Sequence, residues 1–467
     1  MSALLARLVP ARLAARQTEA RLLAAAIGAA ALGFLLSSLG SAVRQELPLL
    51  PAIWPALLPP ILFAALFGGV HLALRARRGE MEQLILPCVA LLSAIGLVMI
   101  WRLRGGSGVY QQVVRGLVPG MLVMGALVLR PRWVERLRRW VAPVSLLGLG
   151  LSLATAFFGV VDETGARLAL KLGPLPAIQT SEILKVALIL FLADYIARQG
   201  EKAEGRARPL LGWLRLPAVR YFIPGLLFVA MAAVALVQMS DFGAVLILGG
   251  IFVGMLYAGF ETRLFGTVAA IGLGLALLVG AGLALTWKIP AVIQLRFIAF
   301  ANPWSTAPLV INGQPLGISI SQGAGYQIQQ ALYAIIAGGL GGTGLGFGSP
   351  EYIPLAHSDF IFAAIMEEMG AVVGFAVLAL FAILLLRILR LAALLPREQT
   401  FERLLLTGIA LHLFIQMVIM VGGTVNLLPV TGVTVPFLSQ GGMALAINLS
   451  EIGIVLALAR RLEALPA

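Results

Sequence analysis

Charge is scarce in this 467-residue chain: only 12% of its residues are Asp, Glu, Lys or Arg, while 60% are hydrophobic. A soluble globule carries about 25% charged residues, so a water-surrounded domain is excluded. Cysteine is nearly absent. The single Cys88 lies inside an apolar run, which leaves neither an intramolecular disulfide nor a cysteine metal site. The three histidines, His71, His357 and His412, are scattered without ligand spacing, so no metal site is readable. Acidic residues number 21 against 34 Lys and Arg, a net charge of +13. The basic residues form short clusters between apolar runs. There is no long basic tail or aromatic-interleaved patch, which argues against a nucleic-acid partner.

What remains abundant is apolar sequence in runs long enough to cross hydrocarbon, which takes about 20 residues. Only helices or closed barrels satisfy their backbones in lipid. The expected fold is therefore all-α, a polytopic membrane bundle of about twelve spans. They fall near 22–43, 52–74, 83–101, 113–130, 140–160, 180–197, 219–238, 243–260, 264–287, 360–386, 404–424 and 440–459. With the N-terminus inside, the cytoplasmic segments hold 25 Lys and Arg and the outer ones eight, including Arg44, Arg102 and Arg296. Both termini are accordingly expected in the cytoplasm, in a multi-pass protein of the cytoplasmic (inner) membrane surrounded by its lipids. The basic start reads as a signal-anchor span rather than a cleavable leader. No internal repeat is evident, which counts against a transporter.

One segment, about 288–359, is the large outer loop. Ile289 to Ile298 reads as a short amphipathic helix and Gly325 to Ala337 as a second helix. Gly338 to Gly346 then reads either as a flexible re-entrant loop or as a cradle for a bulky anion. No Gly-Lys-Ser/Thr follows, so this is no phosphate-loop fingerprint. The loop ends at Glu351-Tyr-Ile-Pro354-Leu-Ala-His357-Ser-Asp359, with Ser358 or Asp359 where a helix N-cap belongs and Glu367-Glu368 about two turns deeper. Ionisable groups at that density face a cavity or partners. Asp359 is either a cap or a general base at the mouth of a membrane cavity.

Three further constellations stand out. Gln179 to Lys185 opens a span with Ser181 as N-cap. Glu182 and Lys185, three apart, form either a structural pair or a cation placed for a pyrophosphate. Gln238-Met-Ser-Asp241-Phe-Gly243 reads as a tight turn capped by Asp241. Asn426 to Gly442, with two prolines and several glycines, is non-helical backbone that must be buried in protein or line a cavity.

Ala356-His357-Ser358-Asp359-Phe360-Ile361-Phe362 followed by Glu367-Glu368-Met369-Gly370 resembles the signature of the SEDS family (RodA, FtsW and the sporulation homologue). Leu428-Pro-Val-Thr-Gly-Val-Thr-Val-Pro-Phe-Leu-Ser439-Gln-Gly-Gly442, Gln179 to Lys185 and Gln238 to Gly243 are similar to its other motifs, in order. The resemblance covers about 84–461. Residues 1–82 are then an extension with two added spans in which nothing suggests chemistry, and 83–461 form the polymerase core. Leu355 departs from the family's usual glutamate, Ser358 from threonine and Gln440 from tyrosine. Asn302 to Gly325 is longer than usual.

The resemblance implies a peptidoglycan glycosyltransferase that polymerises lipid II onto a nascent glycan strand. It implies Asp359 as base, with Glu351 matching a second acidic position. Lys185, Glu182, His357, Arg296 and Ser439 are the expected substrate-binding residues. A divalent cation, Mg or Mn, is an admissible helper without a readable ligand set. A class B penicillin-binding protein is the implied transpeptidase partner, in cell elongation or division. The competing readings are a lipid II flippase, which needs a polar path through the bilayer, and a non-catalytic scaffold, which needs no Asp359. Crowding of Glu182, Lys185, Asp241, Asp359 and Glu367 in the outer half favours the polymerase.

Overall fold

A computed structural model describes residues 16–76, 82–161, 167–171, 173, 177–205, 208–211, 214–216, 223–259, 291–311 and 313–463. The expected span at 264–287 lies outside them. Eight described helices are long and apolar enough to cross a membrane, and Ile223–Gln238 is a shorter apolar one. The 45-residue Ile85–Leu129 helix takes in two of the expected spans.

The chain divides into two compact units. The first holds residues 1–137, 330–394 and 434–467. Its helices are α1 (Gln17–Arg44), α2 (Leu49–Arg75), α3 (Ile85–Gln112) and α4 (Val118–Leu129). A π-turn at Val113–Leu117 joins α3 to α4. In the same unit, α1 packs on both α2 and α3, so the two added spans lie directly on the start of the core. Between apolar helices in lipid the hydrophobic effect gives little, and close backbone approach takes over. Gly116 and Gly120 supply that approach at i and i+4: a Cβ on Gly116 would crowd Gly442 and Leu445 of the last helix, and one on Gly120 would crowd Leu449 and Ala446.

The second unit holds 138–329 and 395–433. Helix α5 (Arg132–Phe158) runs into it from the first. It contains α6 (Thr180–Gly205), α7 (Ile223–Gln238), α8 (Phe242–Gly259) and α9 (Ala291–Ala301). Three small antiparallel hairpins depart from the all-helical expectation in detail: Ala169–Leu170 with Ile178–Gln179, Arg208–Leu211 with Leu214–Leu216, and Pro308–Ile311 with Gln314–Ser319. The last occupies much of the unusually long Asn302–Gly325 stretch. Helix α10 (Tyr326–Gly338) begins in this unit and ends in the first, which also carries α11 (Ile361–Leu394). Helix α12 (Thr400–Thr424) packs on α6 and α8 within the second unit, and α13 (Gly442–Glu463) returns to the first.

Two capping expectations change. Helix α6 begins at Thr180, so Ser181 lies in its first turn rather than before it. Its hydroxyl bonds the Asp241 side chain. Helix α11 begins at Ile361, and the Ser358 hydroxyl donates back to the Leu355 carbonyl at 3.3 Å rather than forward into the helix. The Asp241 expectation holds: its Oδ1 accepts the Ala244 N–H at 3.0 Å, closing the turn into α8.

Candidate functional site

The first unit gathers charge where the glycine loop meets α11. Helix α11 breaks at Gly370 (φ 82°, ψ 169°), conformations closed to other residues. The break frees the Glu367 and Glu368 carbonyls from the helix ladder. Loop N–H groups take them: Thr343 N–H to Glu367 at 2.9 Å and Gly344 N–H to Glu368 at 2.9 Å. In return, Ala371 N–H donates to Gly339 at 2.9 Å. Gly342 (φ 80°) comes so close that a Cβ there would overlap the Glu368 carbonyl oxygen. The glycines therefore serve a fixed backbone pairing, not a flexible loop.

The side chains of the same residues close the other face of the loop. Glu368, 1% exposed, accepts Arg102 Nε at 2.8 Å and Gly346 N–H at 3.0 Å. Glu367 accepts Ser349 N–H at 2.7 Å. Arg102 Nη2 reaches the Gly348 carbonyl at 3.0 Å and Glu351 at 3.2 Å. Arg44 also pairs with Glu351 at 3.2 Å, donates to the Gly348 carbonyl and bonds Ser349 Oγ at 2.9 Å. The Arg102 guanidinium and the Gly346 N–H offset the burial of Glu368, while Glu367 Oε2 is buried without a hydrogen-bond partner.

Past Glu351 the chain turns through Ile353 to Asp359. Both residues before Asp359 are latched to the Val433–Gly442 segment. Ser439 Oγ donates to the Ser358 carbonyl at 2.6 Å, and Gln440 N–H donates to the His357 carbonyl at 2.9 Å. Ser439 is itself held by Val435 N–H at 2.8 Å, and Gln112 bridges Ser439 and Gly441 with two 3.0 Å bonds. Asp359 is thus a half-buried residue in a turn whose two preceding carbonyls are held by Ser439 and Gln440. Burial, with the Arg104 guanidinium nearby, holds His357 below the ordinary imidazole range. His357 is accordingly neutral at physiological pH.

The second unit holds the other predicted residues. Lys185, 1% exposed, pairs with Glu182 at 2.8 Å and donates to Gln416 Oε1 at 3.3 Å. Next to them, burial pushes the Asp241 carboxyl up, against the Ala244 N–H, the Ser181 hydroxyl and the Lys185 ammonium. Arg296 is half-buried on α9. So Glu351, His357, Asp359 and Ser439 belong to one unit, and Glu182, Lys185 and Arg296 to the other.

Sequence reasoning missed Arg44, Arg102 and Gln112 as parts of this cluster. The arginines had a usable signal: they are two of only eight basic residues expected outside, and minority charges are the ones topology does not explain. Among the described residues no group of three or more His, Cys, Asp or Glu is arranged to hold a metal ion. Glu368 is committed to Arg102 and the Gly346 N–H and Glu351 to two arginines, whereas Glu367 Oε1 accepts the Ser349 N–H and its Oε2 is buried without a hydrogen-bond partner.

The fold and this cluster define a polytopic membrane protein with a charge-lined, backbone-rigidified site at one end of its helices. A family model for FtsW, RodA and SpoVE, described as cell cycle proteins, matches residues 82–464. The peptidoglycan glycosyltransferase RodA of Mycobacterium tuberculosis is 32% identical over 404 residues, covering 84% of this chain and 81% of that protein. The probable peptidoglycan glycosyltransferase FtsW of Nitrosococcus halophilus is 33% identical over 343 residues, 72% of this chain and 80% of that one. A solved peptidoglycan synthase complex that coordinates polymerization and crosslinking aligns with TM-score 0.62 at 26% identity, over 80% of this chain and 96% of the other. The crystal structure of the Thermus thermophilus rod shape determining protein RodA aligns at 0.51 and 27%, over 80% and 94%. The chain belongs to the FtsW/RodA/SpoVE family, and its activity is peptidoglycan glycosyl transfer.

Proposed function

We propose that the chain polymerises lipid II, a disaccharide-pentapeptide on undecaprenyl pyrophosphate, on the outer face of the cytoplasmic membrane, with Asp359 as general base. Asp359 takes the proton of the GlcNAc 4-hydroxyl of one lipid-linked unit. The freed oxygen attacks the anomeric carbon of the growing chain. The bond from that carbon to pyrophosphate breaks, and polyprenyl pyrophosphate leaves with the electron pair. The observation that carries this reading is the clamp on Asp359, Ser439 on the Ser358 carbonyl and Gln440 on the His357 carbonyl. A base fixed in position lowers the cost of reaching the reacting geometry.

Glu351, paired to two arginines, serves to hold the loop. Residues 1–82 are an addition to a polymerase core at 83–461. The charge asymmetry between loops supports cytoplasmic termini. The partner is a transpeptidase of the class B penicillin-binding type, a reading supported by the likeness to a complex that joins polymerization to crosslinking.

The test is a gel assay on the chain purified with its transpeptidase partner, that partner's active-site serine removed, and labelled lipid II supplied. A glycan ladder that disappears in Asp359→Ala supports the reading. An equal ladder from both removes Asp359 from catalysis. No ladder from either, with the complex intact, points to lipid II translocation or scaffolding.

A further inference from the structure

Helix α1 lies outside residues 82–464, the part of the chain that the family model matches. Its last residue, Arg44, nevertheless reaches the loop at Gly348–Glu351 that leads into the Asp359 turn. We infer that the N-terminal hairpin is a built-in brace and that Arg44 is a positioning residue for the Glu351 loop. The inference rests on the proposed role of Asp359.

Two independent features support it. The first is polar. One guanidinium ties together three groups within four residues of the loop: the Gly348 carbonyl, Ser349 Oγ at 2.9 Å and Glu351 Oε1 at 3.2 Å. Arg102, from inside the matched region, takes the same Gly348 carbonyl and the other Glu351 oxygen at 3.2 Å. Glu351 thus sits between one arginine of the core and one of the extension. Planar guanidinia suit this bridging, whereas an ammonium is a point charge.

The second is steric. Helix α1 touches the loop backbone to backbone. A Cβ on Gly40 would overlap the Leu345 carbonyl oxygen and press on the Phe347 ring, and one on Gly346 would stand 2.5 Å from the Ser41 nitrogen. The helix itself cannot drift from the core. Trp101 Nε1 donates to Ser38 Oγ at 2.8 Å, and Phe34 meets the Trp101 ring edge-on at 5.7 Å. At its other end, buried Glu19 binds Arg16 and His71, the latter at 2.6 Å. Arg16 donates to the Glu82 carbonyl, and Glu82 pairs with Arg387 at 2.8 Å. A hairpin serving only as a lipid anchor requires none of the contacts at Gly40 and Arg44.

Arg44→Ala in the purified complex is expected to lower kcat roughly tenfold with KM for lipid II nearly unchanged, the low end for a charge-assisted bond at a partly exposed site. Arg44→Lys restores part of that loss, because it returns the charge on Glu351 without the fork. Arg44→Ala combined with Glu351→Gln costs less than the sum of the two, since the Arg44–Glu351 pair is common to both. Gly40→Ala, which pushes α1 off the loop without touching charge, gives a similar kcat loss. Backbone amides of Gly346 and Ser349 exchange faster in Arg44→Ala, while those of α11 beyond Gly370 do not. Wild-type kcat in Arg44→Ala, measured beside an inactive Asp359→Ala, overturns the brace and leaves the base reading standing. A kcat loss matched by a general fall in thermal stability, with no Lys rescue, also overturns it. An active Asp359→Ala removes the base reading and the inference with it.

Discussion

Two clusters of buried charge in this protein solve the same problem in opposite ways. Around Arg102, three carboxylates are shared among two guanidinia and the N–H groups of a glycine loop, with Glu351 left near the surface. Around Lys185, one ammonium is closed off by Glu182 and Gln416 on helix faces, at 1% exposure. The first arrangement fixes a loop whose next turn carries Asp359. The second fixes helices to each other. The difference shows that intramembrane charge is not one signal. What distinguishes the two is whether the partners are loop backbone or neighbouring helices.

The largest effects that break the comparison come from removing each cation. Arg102→Ala leaves Glu368 buried without its cation, and Lys185→Ala does the same to Glu182. Each is expected to destabilise by about 3–5 kcal/mol, read as a fall in melting temperature in detergent. The pair Glu182→Met with Lys185→Met sharpens the contrast. Replacing a buried ion pair by apolar groups of similar size is often close to neutral, so the double variant should recover both stability and glycan synthesis. Recovered stability with lost synthesis would instead place Lys185 on the substrate's pyrophosphate.

A smaller effect is expected at Gly342. Alanine there meets left-handed backbone, about 1–2 kcal/mol, and its Cβ also overlaps the Glu368 carbonyl oxygen. Melting temperature and polymerisation should fall together, because the same backbone pairing holds the loop. The smallest is a pH effect. Burial holds the folded His357 pKa below the ordinary 6.5. The unfolded chain therefore takes up a proton first on acidification. The stability contributed by neutral His357 is present above about 6.5 and declines as pH falls below it. His357→Gln should flatten that part of the melting-temperature profile without changing it above pH 7.

The helical bundle was legible in the sequence because apolar runs of spanning length leave few alternatives. The crowding of ionisable groups before α11 was legible too, since Asp359, Glu367 and Glu368 stand within ten positions at a helix mouth. The hairpin at 308–319 was announced by Asn312-Gly313 between β-prone stretches, a turn signal that the surrounding loop obscured. What the sequence hid was the pairing. Arg44 and Gly348 are 304 positions apart, and nothing in the local pattern of α1 distinguishes a brace from a lipid anchor. The glycine loop was ambiguous for a different reason. Positive φ serves a flexible loop and a fixed backbone pairing alike, and only the break at Gly370 tells them apart.

The most direct test of the account compares initial polymerisation rates of Asp359→Asn and Glu351→Gln in the purified complex with labelled lipid II. Loss of a general base costs about 10²–10⁴-fold, so Asp359→Asn should fall by that much, while Glu351→Gln retains a measurable rate with a loosened loop. The reverse order, with Glu351→Gln inactive and Asp359→Asn near wild type, would contradict it and move the base to Glu351.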